Sequence, residues 1–496
     1  MHPFRAKHFL STLLVLWTAT TLSSFCQTFG SRPLFKGLNG AQPNGPLVQG
    51  FNGNFYGTTK SGGPSFTKNN YGHGTVFELT RSGKLTTLYN FCSLVVNKKC
   101  TDGQRPQTGL ILATDGNFYG TTYAGGTKGG GTIFRITPNG KLTTVYSFCS
   151  SSCLEGEVPN GVIQGTDGNL YGTTATGGAG GYGTAFSITP SGKVTVLHSF
   201  DYVDDGFPGP YQLLQARDGN FYGVSPDGVG TGCIGGCGSV FRVSPKGDFK
   251  TLYKFCALAN CADGYAPEGA LTQGSDGNLY GSNVIDDVNG GGTIFKLTLE
   301  GQLTTLYSFC SVGDCLDGDF PGSGVVQGTD GNLYGTTEGG GSYGGGEIFK
   351  LTPDGTFILL HSFCAQAKCP DGDQPTGLLQ ATNGNFYGVT NFGGDVIDCP
   401  IQGLRGCGDA FLAEARLAPF VQPNPAYGKA GWKVDILGDN LAGTTSVTFN
   451  GSSAAYTVLS STHIKATVPA GATSGPIEVS VPGGILTSNV AFQVLP

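Results

Sequence analysis

The string G-N-[FL]-Y-G occurs seven times in this chain, with its tyrosine at Tyr56, Tyr119, Tyr171, Tyr222, Tyr280, Tyr334 and Tyr387. Successive tyrosines stand 51 to 63 residues apart. A near-regular period of that size restricts the chain to small units that bury their apolar faces against one another, as solenoid repeats and propeller blades do. Each unit carries the same inner pattern. In the third unit, a G-x-[LV]-[ILV]-Q run at 161–164 meets a D-G-N turn (Asp167, Gly168, Asn169) that leads into 170–174. A Gly-rich loop leads to a run around Phe186, and Pro190-Ser191-Gly192 reverses it into 193–200. Short apolar runs between turn residues are strands, and D-G marks a two-residue hairpin. Four antiparallel strands repeated seven times predict an all-β fold, a seven-bladed β-propeller.

Composition supports strands over helices. Glycine supplies 85 of the 496 residues, aromatics 11% and charged residues only 12%. Long runs of strong helix formers are absent, which excludes a helical bundle. The seventh unit stops after Phe411 without a fourth strand, and Pro33-Leu34-Phe35-Lys36, followed by Asn39-Gly40 and Pro43, supplies one at the other end. The same strand-then-turn order recurs at Asp102-Gly103 before Pro106 and at Asp263-Gly264 before Pro267. The N-terminal strand is therefore expected to complete the last blade and leave no open edge.

The units, with D-G-N-[FL]-Y-G-T-T, a Gly-rich loop, G-T-[IV]-F-x-[IL]-T-P-x-G and L-Y-x-F, resemble the GloVer-type tandem repeat of secreted bacterial proteins. The resemblance covers about 31–417; Ser225 and Ser282 alter the T-T pair, and Asp201 stands where other units have Cys. It implies no activity, substrate or catalytic residue. From 418 the character changes. Val434 to Leu441, Val447-Thr448-Phe449-Asn450-Gly451, Val468-Pro469-Ala470-Gly471 and Gly475 to Val481 resemble an IPT/TIG immunoglobulin-like sandwich. The domain reading is 1–26 signal peptide, 27–417 propeller and 418–496 IPT/TIG domain.

Arg5 and Lys7 precede an apolar stretch from Phe9 to Leu22, the order of a secretory signal that is too short to span a bilayer. Apart from Cys26, the cysteines form close pairs. These are Cys92 with Cys100, Cys149 with Cys153, Cys233 with Cys237, Cys256 with Cys261, Cys310 with Cys315, Cys364 with Cys369, and Cys399 with Cys407. On a secreted chain such pairs read as loop-closing disulfides that stiffen their loops. Zinc would need four ligands, whereas these pairs are scattered and nearly free of His. A secreted or cell-surface location follows, with no transmembrane span in the mature chain, and a monomer is expected.

Candidate chemistry is sparse. His198 and His361 occupy the Tyr position of the L-Y-x-F strand and read as packing residues. Asp115, Asp167, Asp218, Asp276 and Asp330 are hairpin residues with too few oxygens for a calcium site of their own. Glu338, Glu347, Asp286, Asp287 and Asp204 break the repeat, but no two can be placed side by side from spacing. Gln49, Gln164, Gln215, Gln273, Gln327 and Gln380 share one first-strand position, broken by Leu112; such a ring either lines the channel or bonds between blades. Neither a catalytic residue, a metal ligand nor a cofactor is assigned.

The net charge of −6 without a basic block argues against nucleic acid. The first expectation is therefore a non-catalytic binding or adhesion protein for an extracellular polysaccharide or surface protein. The alternative is an extracellular carbohydrate-active enzyme, a hydrolase or lyase, with a TIG accessory domain. Variable loops on a rigid frame carry recognition. Any ligand is expected at the cysteine-bearing loops, 60–73, 123–130, 225–237, 283–291, 338–345 and 391–407.

Overall fold

The computed structural model describes residues 28–496 except 68, 150–152, 210, 230, 231, 234, 287, 395–398 and 400–404. The signal segment, Cys26 and Asp287 lie outside the described residues. Two one-turn 3-10 helices apart, the regular elements are strands, and no helix among the described residues is long and apolar enough to cross a membrane. Each repeat forms one antiparallel sheet whose strands follow chain order, as in Tyr265–Gln273, Leu279–Ile285, Thr293–Leu297 and Leu303–Ser308. Seven such sheets follow one another, and the last packs against the first.

Two aromatic contacts recur from sheet to sheet. The phenylalanine that ends each outer strand is buried edge-on against the third-strand phenylalanine of the next sheet. Phe91–Phe134, Phe200–Phe241 and Phe309–Phe349 have ring centroids 5.1, 5.1 and 5.2 Å apart. The repeat tyrosine in turn meets the Phe or Leu of the next G-N-[FL]-Y-G string, as in Tyr171–Phe221 at 4.0 Å. Burying each such ring stabilises the interface by roughly 1.5–3 kcal/mol. The F/L choice in the motif is thus a choice of what the preceding tyrosine packs on.

Ring closure uses the same contacts, with one correction to the expected strand. Phe29–Arg32, not 33–36, pairs antiparallel with Asp409–Ala413, in the register Phe29↔Ala413 to Arg32↔Ala410. Pro33 to Lys36 form the exit from that strand, where Pro33 has no N–H to give a ladder. Phe35 still takes the recurring buried position, with its ring 5.1 Å from Phe77. Phe55 and Tyr387 close the second series at 4.1 Å.

The D-G-N turns are self-contained. In the third sheet Asp167 accepts from the Asn169 amide and the Tyr171 hydroxyl, at 2.7 and 2.7 Å. The six glutamines join these turns. Gln273 donates to its own turn at Gly277 O (2.9 Å) and accepts from Arg217 N of the preceding sheet (2.9 Å). Gln49 does the same across the seam, accepting from Thr382 N at 3.0 Å. The glutamine amides are therefore bonded between sheets, and Gln164, Gln215 and Gln273 also border a cavity at that end.

At the opposite end lie the connections between sheets and the second-to-third strand loops, and the expected cysteine pairs are bonded there. Cys92 is joined to Cys100, Cys149 to Cys153, Cys233 to Cys237 and Cys256 to Cys261. Cys310 is joined to Cys315, Cys364 to Cys369 and Cys399 to Cys407.

Their role differs from the expectation of loop staples alone. Cys153, Cys237, Cys261, Cys399 and Cys407 are buried, and Cys237 and Cys407 belong to the apolar cores of their sheets. The backbone of these residues also carries load. Cys153 O accepts from Gly178 N at 2.8 Å and Cys369 O from Gly394 N at 2.9 Å, each tying a connection to the neighbouring Gly-rich loop. Cys237 O accepts from Ala266 N at 3.0 Å and Cys407 O from Gln42 N at 2.8 Å, each reaching the next sheet round the ring. The physical reason is that these loops fold back over the ends of the sheets, so their small apolar cystines fill space there.

Three connections are also fixed by a buried aspartate, Asp102, Asp263 or Asp317; Asp317 accepts from Tyr307 Oη at 2.8 Å and Ser311 N at 3.0 Å. His198 and His361 replace that tyrosine, bonding Asp205 and Asp371 at 2.8 and 3.2 Å. Denatured but unreduced protein from residue 28 onward is expected to titrate close to zero free thiols; two or more would overturn the pairing.

Residues 422–494 form two facing four-stranded sheets around Val434, Ile436, Phe449, Ile464 and Phe492. This sandwich sits on the D-G-N end of the ring. Asn424 donates to Leu112 O at 3.2 Å, Tyr427 to Gly165 O at 2.8 Å and Thr462 to Phe51 O at 2.8 Å. His463 stacks on Phe51 with centroids 4.3 Å apart, and Arg81 pairs with Asp439.

Candidate ligand site in the channel of the ring

The first strands converge on the ring axis, and the residue three before each glutamine position stands at the closest approach. It is Pro46, Gly109, Gly161, Ala270, Gly324 or Gly377 in six sheets. The crowding is between backbones. A Cβ on Gly324 would lie 2.6 Å from Ala270 O, and one on Gly109 2.7 Å from Pro46 O. Only small residues fit such an approach. The fourth sheet departs from this rule with Tyr211 and Gln212. The Gln212 amide reaches Gly109 O of the second sheet at 3.3 Å and so crosses the axis.

Beside this plug the channel widens into a cavity of about 340 Å³ at the loop end. Among its lining residues are Glu268, Glu338, Tyr211, Thr376, Asn391 and Gln107. Glu268 comes from the fifth sheet's first strand, Tyr265–Gln273, and Glu338 directly follows the sixth sheet's second strand, Leu333–Thr337. They converge over one glycine: a Cβ on Gly322 would lie 2.9 Å from Glu338 Oε1 and 3.3 Å from Glu268 Oε2. The Tyr211 phenol lies beside Glu268. Burial pushes the Glu338 carboxyl up to about 7, and the nearby Glu268 adds to the effect. Burial also raises Glu268; the neighbouring Tyr211 hydroxyl opposes that shift and the negative charge of Asp227 reinforces it. Burial and both glutamates hold the Tyr211 phenol well above its usual value, so it remains a hydrogen-bond donor. No Lys, Arg or His is among the lining residues. A concave site with converging polar groups and shifted carboxyls has the character of a ligand pocket.

Of the described acids that break the repeat, only Glu338 lies here. Glu347 is fully buried at the first position of its third strand, where other sheets have Thr75, Thr132, Thr184, Ser239 and Thr293. It is not a solvent-side carboxylate. Asp286 caps its own loop, accepting from Val288 N and Asn289 N at 2.8 and 2.6 Å, and Asp204 is exposed. Sequence reading missed Tyr211, Gln212 and Glu268. The available signal was the loss of small residues just before Gln215 and an acid five before Gln273.

The Gloeobacter/Verrucomicrobia repeat model matches residues 18–234, 158–401 and 209–458. The chain belongs to that repeat family. No curated protein matches it. Among solved structures it is similar to the extracellular domains described for two hybrid two component systems of B. thetaiotaomicron, BT3049 and BT4673. For BT3049 the identity is 12% and the TM-score 0.49, over 95% of this chain and 55% of that one. For BT4673 they are 10% and 0.48, over 93% and 58%. The chain thus spans little more than half of each. The PQQ-bound aldose sugar dehydrogenase of Streptomyces coelicolor has 13% identity and a TM-score of 0.39, over 78% of this chain and 98% of that one.

Proposed function

We propose that the chain is a secreted or cell-surface recognition protein, a seven-bladed propeller carrying an IPT/TIG-type sandwich, that binds an extracellular glycan at its disulfide-stapled loop end. The observation that carries this reading is the occupancy of the two ends. The sandwich covers the D-G-N end through contacts with the first, second and third sheets. The other end keeps the channel mouth open and exposes Tyr71, Tyr123, Tyr182, Phe320 and Tyr343, each at least 41% accessible. Exposed aromatic rings on stiff loops present flat apolar faces with polar tips, which suit the C–H faces of sugars. Local disulfides lower the ordering cost of binding and fit an oxidising compartment.

The test is retention of the full chain on a panel of immobilised polysaccharides, with release of reducing ends measured in parallel. Y71A, Y182A and Y343A are expected to weaken retention about tenfold each with unchanged melting, since a few aromatic anchors dominate such surfaces. D167N, in a D-G-N turn, is expected to lower the melting temperature and leave retention intact. Retention indifferent to the tyrosines, or none on any polysaccharide, would overturn the reading. The Glu268–Glu338 pair favours a second reading, a carbohydrate-active enzyme, because paired carboxyls of unequal acidity serve glycoside cleavage. Reducing-end release abolished by E338Q would establish it.

A further inference from the structure

We propose that the channel cavity binds an amino sugar, with Glu268 and Glu338 receiving its ammonium group and Thr376, Asn391 and Gln107 its hydroxyls. This deepens the glycan reading and rests on it.

Charge is the first argument. Two carboxyl groups converge in a cavity whose lining residues include no cation. Taking carboxylates out of water is unfavourable unless an opposite charge or hydrogen bonds replace the lost solvation. The neighbouring Tyr211 phenol is the one neutral group that favours the charged form of Glu268, and it brings no positive charge. An incoming ammonium supplies both the missing charge and up to three donors.

The second argument is independent of the acids. Thr376 is only 5% exposed, lines the cavity, and its hydroxyl has no hydrogen-bond partner. The equivalent hydroxyl in the second sheet, on Thr108, bonds Thr121 at 3.2 Å. In the seventh sheet Val389 faces Thr376, so the hydroxyl has lost its neighbour. Buried polar groups in native proteins are normally paired, and a group left unpaired beside a cavity points to a partner that enters it.

Volume selects between occupants. At about 340 Å³ the cavity is at the lower end of small-molecule pockets. A bare metal ion would fill a small part of it, whereas a hydroxylated ring bearing one amine fits both the space and the mixture of acid, amide and hydroxyl groups. Acetylating the amine removes the charge and adds bulk, so the free amine should be strongly preferred.

The experiment is calorimetric titration of the full chain with the β-1,4-linked glucosamine dimer, its N,N′-diacetyl counterpart and calcium chloride alone. Wild type and E268Q, E338Q and T376V variants are compared, with the melting temperature of each recorded. The glucosamine dimer is expected to bind at least tenfold more tightly than the acetylated dimer. E268Q and E338Q are each expected to lose at least tenfold and T376V a few-fold, at near-wild-type melting temperature. T376V leaves the acidic pair intact and keeps the test valid should either glutamine variant fold poorly. Equal binding of both dimers, or binding unchanged in E268Q and E338Q, would overturn the proposal. So would calcium binding that E338Q abolishes, which would make the cavity a metal site. If polysaccharide retention depends on the loop tyrosines while no glucosamine binds, the surface reading survives and this inference fails. Glucosamine binding without polysaccharide retention has the opposite meaning.

Discussion

Deleting residues 28–36 is expected to convert a cooperatively melting protein into one that aggregates or melts roughly 10 °C lower. The deletion removes the strand Phe29–Arg32 and leaves Asp409–Ala413 as an unpaired edge, a template for association between molecules. It also removes two packed rings. Phe29 lies flat on His361 with centroids 3.5 Å apart, and Phe35 is fully buried against Phe77. The single change F35A isolates the second contact and should cost about 3–5 kcal/mol, the usual effect of truncating a buried phenylalanine. F91A, at the equivalent place between the first two sheets, should cost a similar amount without opening the seam. Thermal melts and size-exclusion chromatography of the three variants check this. A deletion variant that melts unchanged would show that the ring is held by other means.

Stability is expected to fall as pH rises from 5 to 9, and two buried carboxyls should carry much of the fall. Glu347 and Asp409 occupy equivalent positions in the sixth and seventh sheets. Burial pushes each up to about 8, with Asp317 adding negative charge near Glu347 and Asp371 near Asp409. Both oxygens of Glu347 lack a hydrogen-bond partner. Asp409 keeps one bond, to Ala410 N at 2.7 Å. A carboxyl raised in the folded state holds its proton more tightly there than in the unfolded chain. Its contribution is therefore fully present below the ordinary carboxylate range, near pH 4, and is lost as pH climbs to about 8. At about 1.4 kcal/mol per unit of separation, reduced by water penetration, the loss is on the order of 2–4 kcal/mol for each group. E347Q keeps the shape and removes the titration; E347T restores the residue used in four other sheets. Both are expected to melt about 5 °C above wild type at pH 9 and close to it at pH 5. Parallel pH slopes for wild type and E347Q would remove Glu347 from the account.

The strands were legible because each unit repeats its turn chemistry. D-G-N or N-G-N turns and Gly-rich loops recur from sheet to sheet, P-x-G turns in four of them, and the sevenfold recurrence of Phe and Tyr marks them as packing residues. The cysteine pairing was legible from spacing, but the burial of Cys153, Cys237 and Cys407 was not, because spacing along a loop does not say that the loop folds back over its sheet. The closing strand was legible as an event but misplaced by four residues, since Pro33 to Lys36 look like an outer strand but form the exit from one. The channel site was legible in half. Glu338 stands out as a break after Thr336-Thr337, but spacing along one chain cannot say that the fifth sheet's first strand brings Glu268 beside it. Glu347 misled for the same reason. An acid following glycines resembles a loop residue until the strand ladder shows it directed inward.

The sandwich has a mechanical consequence. It touches both sides of the seam between the seventh and first sheets: Phe420 N bonds Thr382 O at 3.0 Å, and Arg81 reaches from the first sheet to both Asp439 and Thr382. Opening the ring at this seam therefore requires the second domain to release as well. The sandwich acts as a clasp across the seam, and the two folded bodies share one latch.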